Sequence, residues 1–195
     1  MLPINTQGST FVSGSIPGAS FTGVVNSASF NDGCNLLLTF TQFSLTTTLS
    51  TPVTLEVTIV QDYDAMTALW TASHQFNGDA NFTAAGQMAS LNVVSTHEST
   101  NLPELGQIEV AAAPGTVPFA RGQGPTTVID PVSGVYRMST TYTIVLAAGA
   151  SGSVTFNLPD SGVDQASCVP IPGPAAGVSL IGLLGAAGTV RRRRN

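Results

Sequence analysis

Lysine is missing from this chain. The six basic residues are all arginines, Arg121, Arg137 and the run Arg191 to Arg194, and charged side chains make up only 9% of the 195 residues. Without the terminal run, two arginines face eleven carboxylates, a formal charge of −9. A body so charged repels nucleic acid and anionic membrane surfaces, which argues against a nucleic-acid partner. Cysteine is scarce as well. Cys34 and Cys168 stand alone, and no CxxC, HExxH or paired Cys/His spacing is present, so a structural zinc site is not expected, and no motif in the chain calls for a cofactor. The Gly-x-Ser-x-Gly elbow of many serine hydrolases is absent. Gly122-Gln123-Gly124 lacks the third glycine and the strand-to-helix setting of a dinucleotide fingerprint. Apolar repeats at helical spacing are nearly absent too.

What the chain does have is period-two alternation. Val53, Leu55, Val57 and Ile59 alternate with Thr54, Glu56 and Thr58, and Trp70, Ala72, His74 and Phe76 alternate with Thr71, Ser73 and Gln75. Tyr136, Met138, Tyr142, Ile144 and Leu146 do the same, followed after Gly149-Ala150-Ser151-Gly152 by Val154, Phe156 and Leu158. Between Leu36 and Leu49 the apolar phase flips near Thr41-Gln42, which predicts a bulge or a crossing between sheets. Asn31-Asp32-Gly33 and Asn77-Gly78-Asp79 read as hairpin turns. Ala112 to Pro131, rich in Pro and Gly, reads as one long loop. The fold class expected is all-β, an antiparallel β-sandwich of jelly-roll-like kind over residues 1–158. Residues 159–168 are expected to be a linker, and 169–195 a separate C-terminal segment.

Several constellations have both a chemical and a plain reading. Asp62 and Asp64 share one side of an extended chain, about 6.6 Å apart by strand rise. They read as a calcium or acid/base pair, or as a solvated turn. His74 lies on a face with Trp70 and Phe76, where a hydrogen-bonded core imidazole is the simpler role, and His97-Glu98 reads as a loop. Trp70, Tyr63, Tyr136 and Tyr142 serve either as sugar-stacking rings or as core. Cys34 and Cys168 either form a disulfide, tying the body to the start of the tail, or are two unrelated thiols.

The tail has the most specific pattern. Pro170, Pro172 and Pro174 exclude a helix over Val169 to Pro174 and favour extended chain. Ala175 to Val190 then carries no charge, and as a helix it would rise roughly 24 Å, short of a hydrocarbon core of about 30 Å. Snorkelling arginine stems and local thinning make up such a difference. Arg191, Arg192, Arg193 and Arg194 resist translocation and stay cytoplasmic, which directs the N-terminal body outward.

Val169, Pro170, Pro172, Gly173 and Pro174, the apolar span and the arginine cluster together resemble the PEP-CTERM class of bacterial C-terminal sorting signals. Ile171 stands where that class usually has glutamate. The resemblance covers Val169 to Arg194 and implies an exosortase-type membrane protease as partner, with cutting near the prolines and transient residence in the inner membrane. It makes this chain a substrate, with recognition residues and no catalytic ones.

Export needs a signal, and Met1 to Gly8 has neither a basic start nor an apolar h-region, so the expectation is a start site further upstream. The surface must be made polar by Thr, Ser, Asn, Gln and Gly, as in secreted β proteins. The function expected is a non-enzymatic structural or adhesive protein of the extracellular matrix, displayed at the cell surface, with extracellular polysaccharide a candidate partner. The alternatives are a carbohydrate-binding module, which needs exposed coplanar aromatics, and a secreted hydrolase, which needs convergent titratable groups in a cleft.

Overall fold

A computed structural model of the chain describes residues 7–30, 34–121, 127–150 and 152–170. Ten strands follow in order: β1 Gln7–Ile16, β2 Ala19–Phe30, β3 Asn35–Thr47, β4 Val53–Phe82, β5 Met88–His97, β6 Thr100–Asn101, β7 Leu105–Val110, β8 Gly115–Arg121, β9 Thr127–Ala147 and β10 Val154–Pro170. Every pairing is antiparallel, and no helix occurs among the described residues.

Two antiparallel sheets are linked by strands that pass from one to the other. The first runs β1-β2-β3-β10 and on to the second half of β4, whose far side carries β8 and the start of β9. The second joins the first half of β4, the rest of β9, then β5, flanked by β7 and β6. β4 changes sheets where its register with β9 slips twice, between Ala65 and Ala68 and between Ala68 and Trp70. Such irregularities bend a strand without ending it.

The inward faces meet in an aromatic core. Phe40 of β3 packs on Tyr142 of β9 with ring centroids 5.1 Å apart, and Trp70 of β4 packs on Tyr136 of β9 at 4.6 Å. Tyr63 on the second sheet donates its hydroxyl to the Leu37 carbonyl on the first, at 2.7 Å. Gly162 of β10 makes room for this packing. A Cβ there would stand 2.2 Å from the Tyr142 hydroxyl.

Hydroxyls take the place of charge on the outer faces. Thr58 and Thr141 sit opposite one another and hydrogen-bond at 2.9 Å, as do Thr46 and Thr155 at 3.0 Å. Cross-strand threonine pairs of this kind stabilise a sheet modestly and need no ions.

Four features differ from the sequence reading. Asn77-Gly78-Asp79 is not a turn, because β4 runs through it, paired with β10 on one side and β8 on the other. Gly78 serves close packing instead, with the Asn157 carbonyl only 2.6 Å from where its Cβ would be. The expected loop Ala112 to Pro131 contains β8 and the first residues of β9. The expected linker 159–168 belongs to β10, held between β3 and β4. His97 closes β5 and is buried, not in a loop.

Other expectations hold. The phase flip in β3 is a bulge, since Thr22 faces Ser44 while Val24 faces Thr41, and Gln42 takes a φ of 51°. Asn31-Asp32-Gly33 lies outside the described residues, between strands that pair antiparallel with Phe30 opposite Asn35.

Candidate functional site

The inward face of a strand normally carries apolar side chains, but six positions near the centre of this protein carry polar ones. β4 contributes His74, β5 contributes Ser95 and His97, β9 contributes Tyr136 and Thr140, and β10 contributes Asp164. All six are buried. Register brings them together: Asp164 lies opposite His74 on the first sheet, and Ser95 lies opposite Thr140 on the second.

The hydrogen bonds form one chain across the two sheets. His97 Nε2 meets Asp164 Oδ1 at 2.7 Å, and His97 Nδ1 meets the Tyr136 hydroxyl at 3.0 Å. The Thr140 hydroxyl donates to Asp164 Oδ2. The Ser95 oxygen lies 3.3 Å from Thr140 Oγ1 and 3.0 Å from His74 Nδ1, while His74 Nε2 meets the Pro103 carbonyl at 2.7 Å.

Proton accounting constrains this chain. A carbonyl only accepts, so His74 Nε2 carries a proton. Ser95 has a single hydroxyl proton and two acceptors in reach, Thr140 and the bare Nδ1 of a neutral His74. If His74 gains a second proton, the Ser95 proton is released wholly to Thr140, and Asp164 supplies the countercharge across the relay. Burial pushes the His74 pKa down, the Pro103 carbonyl and Asp164 pull it back up, and His97 pushes it down again; the net direction is down. Burial, then Asp164 and Glu98, raises the Tyr136 pKa, so its phenol stays a donor.

Chemically this arrangement is a clasp. A carboxylate out of water is costly unless its oxygens are satisfied, and here donors from two strands of the opposite sheet satisfy them. Neither His97 nor Asp164 has any solvent exposure, so no external substrate touches them in this conformation.

Other predicted residues are placed differently. Asp62 faces Arg137, which grips it with both Nε and Nη2, at 2.6 and 2.7 Å. That hydrogen-bonded guanidinium lowers the Asp62 pKa. The Glu98 carboxylate accepts from the Arg137 backbone amide, and these residues, with Ser99 and Val135, line an open surface groove. Asp64 is exposed beside the pair. No group of three or more potential metal ligands occurs among the described residues. Trp70, Tyr63, Tyr136 and Tyr142 are all buried in the core.

Cys34 and Cys168 form a disulfide, with Cα atoms 4.9 Å apart, and the Cys168 amide donates to the Cys34 carbonyl at 2.8 Å. Val169 and Pro170 are the last residues of β10, opposite Leu69 and Ala68. Pro172, Gly173, Pro174, the span Ala175 to Val190 and Arg191 to Arg194 lie outside the described residues. Among the described residues no helix is long and apolar enough to cross a membrane.

Sequence reasoning singled out His74 but missed Ser95, Thr140 and Asp164. Ser95 and His97 continue the alternation of Leu91 and Val93, and Asp164 sits between Gly162 and Ala166 in another. Only a period counted by position, regardless of polarity, finds them.

No family model matches the chain, and no curated protein matches it. Among solved structures it is similar to an arabinose-bound GH51 α-L-arabinofuranosidase, at 12% identity and a TM-score of 0.28, covering 80% of this chain and 23% of that one. It is also similar to the VP2 subviral particle of infectious bursal disease virus, at 11% identity and a TM-score of 0.26, covering 89% and 59%. The chain thus spans less than two thirds of either protein.

Proposed function

We propose that this protein is an exported bacterial β-sandwich that is carried to the inner membrane, processed by an exosortase-type protease and displayed as a structural or adhesive element of the extracellular matrix. In this reading Ala175 to Val190 forms a short membrane helix with Arg191 to Arg194 on the cytoplasmic side. Val169, Pro170, Pro172, Gly173 and Pro174 present the recognition strip. Extracellular polysaccharide is the matrix component it would meet.

The observation that carries this reading is the disulfide. Bridges of this kind persist in oxidising compartments outside the cytoplasm. This one closes a sequence separation of 134 residues, and in the chain-entropy model it contributes about 5 kcal/mol. It also ends one residue before the proline motif. A cut beyond Pro170 would release the tail and leave every described strand and the bridge intact. A surface polar through threonine pairs also suits secretion.

The test is the mature product in a host carrying such a protease. Intact mass should show loss of the apolar span and arginines, with the remainder outside the cytoplasm and its thiols blocked. Recovery of the uncut chain solely from the cytosol, with Cys34 and Cys168 reduced, would refute the proposal.

A further inference from the structure

We infer that the outer edge of β1 is an interaction surface for a second copy of this chain, pairing antiparallel across a two-fold axis. None of the described strands pairs that edge, since β1 bonds only to β2. An open edge offers unpaired amides and carbonyls to any passing strand, and proteins that remain single protect such edges with charge, proline, bulges or brevity.

The other open edges described here have such protection. The first half of β4 carries Glu56, Asp62 and Asp64, and β7 carries Glu109 with Glu104 just before it. Pro118 lies within β8, the sequence of β9 includes Asp130 and Pro131 near its start, and β6 has only two residues. β1 has no such device. Its ten residues pair with β2 in unbroken register, without proline and without charge. Indeed the first charged side chain of the whole sequence is Asp32.

A second copy is the occupant for two reasons. Bodies with a formal charge near −9 repel one another, so copies meet only where the carboxylates are absent, and the β1–β2 end is that place. The strand is also its own complement. A two-fold axis through Phe11 sets Ser9 against Ser13 and Gly8 against Gly14, and hydroxyls both donate and accept. The same axis brings the two Phe11 rings together on one face. Phe11 is 66% exposed in the single chain, and such cross-strand aromatic pairs stabilise sheets. With that register residues 7–15 of the two copies pair, a span of about 31 Å that joins the first sheets of two copies into one.

The test is sedimentation of the full chain in a mild non-ionic detergent. Wild type should be a dimer, Phe11→Lys and Phe11→Glu should each be monomeric, and an equimolar mixture of the two should dimerise again. Thermal stability and the intact bridge serve as folding controls, with Ser9→Lys, on the same exposed face, as the substitute if Phe11→Lys does not fold. Every variant keeps the C-terminal segment, so association through the tail would not respond to residue 11. A monomeric wild type, a dimer indifferent to charge at residue 11, or a charge-swapped mixture that stays monomeric would each overturn the inference.

Discussion

His97 on β5 and Asp164 on β10 reach across the two sheets to an Nε2–Oδ1 distance of 2.7 Å, and neither side chain is exposed. Removing one partner strands the other out of water. Asp164→Ala or His97→Ala should therefore cost about 3–5 kcal/mol by urea denaturation. Replacing the clasp together, with His97→Leu, Asp164→Leu and Thr140→Val, should cost less than either single change, because no polar group is then left without a partner. A loss of under about 1 kcal/mol for Asp164→Ala would show that the clasp contributes nothing beyond an ordinary hydrogen bond.

His74 gives a pH dependence of definite sign. Its folded-state pKa lies below the ordinary value of 6.5, chiefly through burial. The unfolded chain therefore binds the proton more readily, and the contribution of His74 to stability is full above pH 6.5 and lost as pH falls below it. The groups facing the ring are the Pro103 carbonyl, the Ser95 hydroxyl, Asp164 and His97. Denaturation measured from mildly alkaline to mildly acid pH should show wild type losing stability in that window, with a shallower slope in His74→Gln. Parallel slopes would assign the acid sensitivity to other groups.

The three tyrosines make the opposite prediction at high pH. Tyr63, Tyr136 and Tyr142 are all buried, and burial, reinforced by Asp164, raises each pKa above the ordinary 10.0. A raised pKa contributes stability below pH 10, lost as pH rises beyond it. Phenolate absorbance should thus stay flat past pH 10 and then rise in one step with loss of β circular dichroism. A gradual rise with the fold intact would mean that at least one hydroxyl reaches water.

Much of the fold could be read wherever alternation was written in apolar residues. Val53 to Ile59, Trp70 to Phe76 and Tyr136 to Leu146 are strands as the pattern implies, and the flip at Thr41-Gln42 is a bulge. Reading failed where inward positions were small or polar. Gly162, Asp164 and Ala166 point into the core of β10, yet their neighbours Val163 and Gln165 make the segment look like a linker. Asn77-Gly78-Asp79 failed for the converse reason. Turn chemistry is local, and here the pairing of β4 with both β10 and β8 overrides it. The clasp was hidden because its members come from four strands and are assembled only by sheet register.

Gly162 offers the sharpest test of that assembly. It stands opposite Phe40 in β3 and Phe76 in β4, beneath the ring of Tyr142 from the other sheet. An added Cβ would lie 2.2 Å from the Tyr142 hydroxyl and 2.7 Å from two ring carbons, so either the ring or β10 must shift. Tyr142 is wedged against Phe40 at 5.1 Å, and β10 is held on both sides, so neither yields cheaply. Gly162→Ala should therefore cost about 1–3 kcal/mol, the usual range for overpacking a core. Tyr142→Phe removes the nearest atom but leaves the ring carbons. In a double-mutant cycle it should recover part of the loss and not all of it. Full additivity of the two changes would mean that the sheets do not approach as closely at Gly162 as this packing requires.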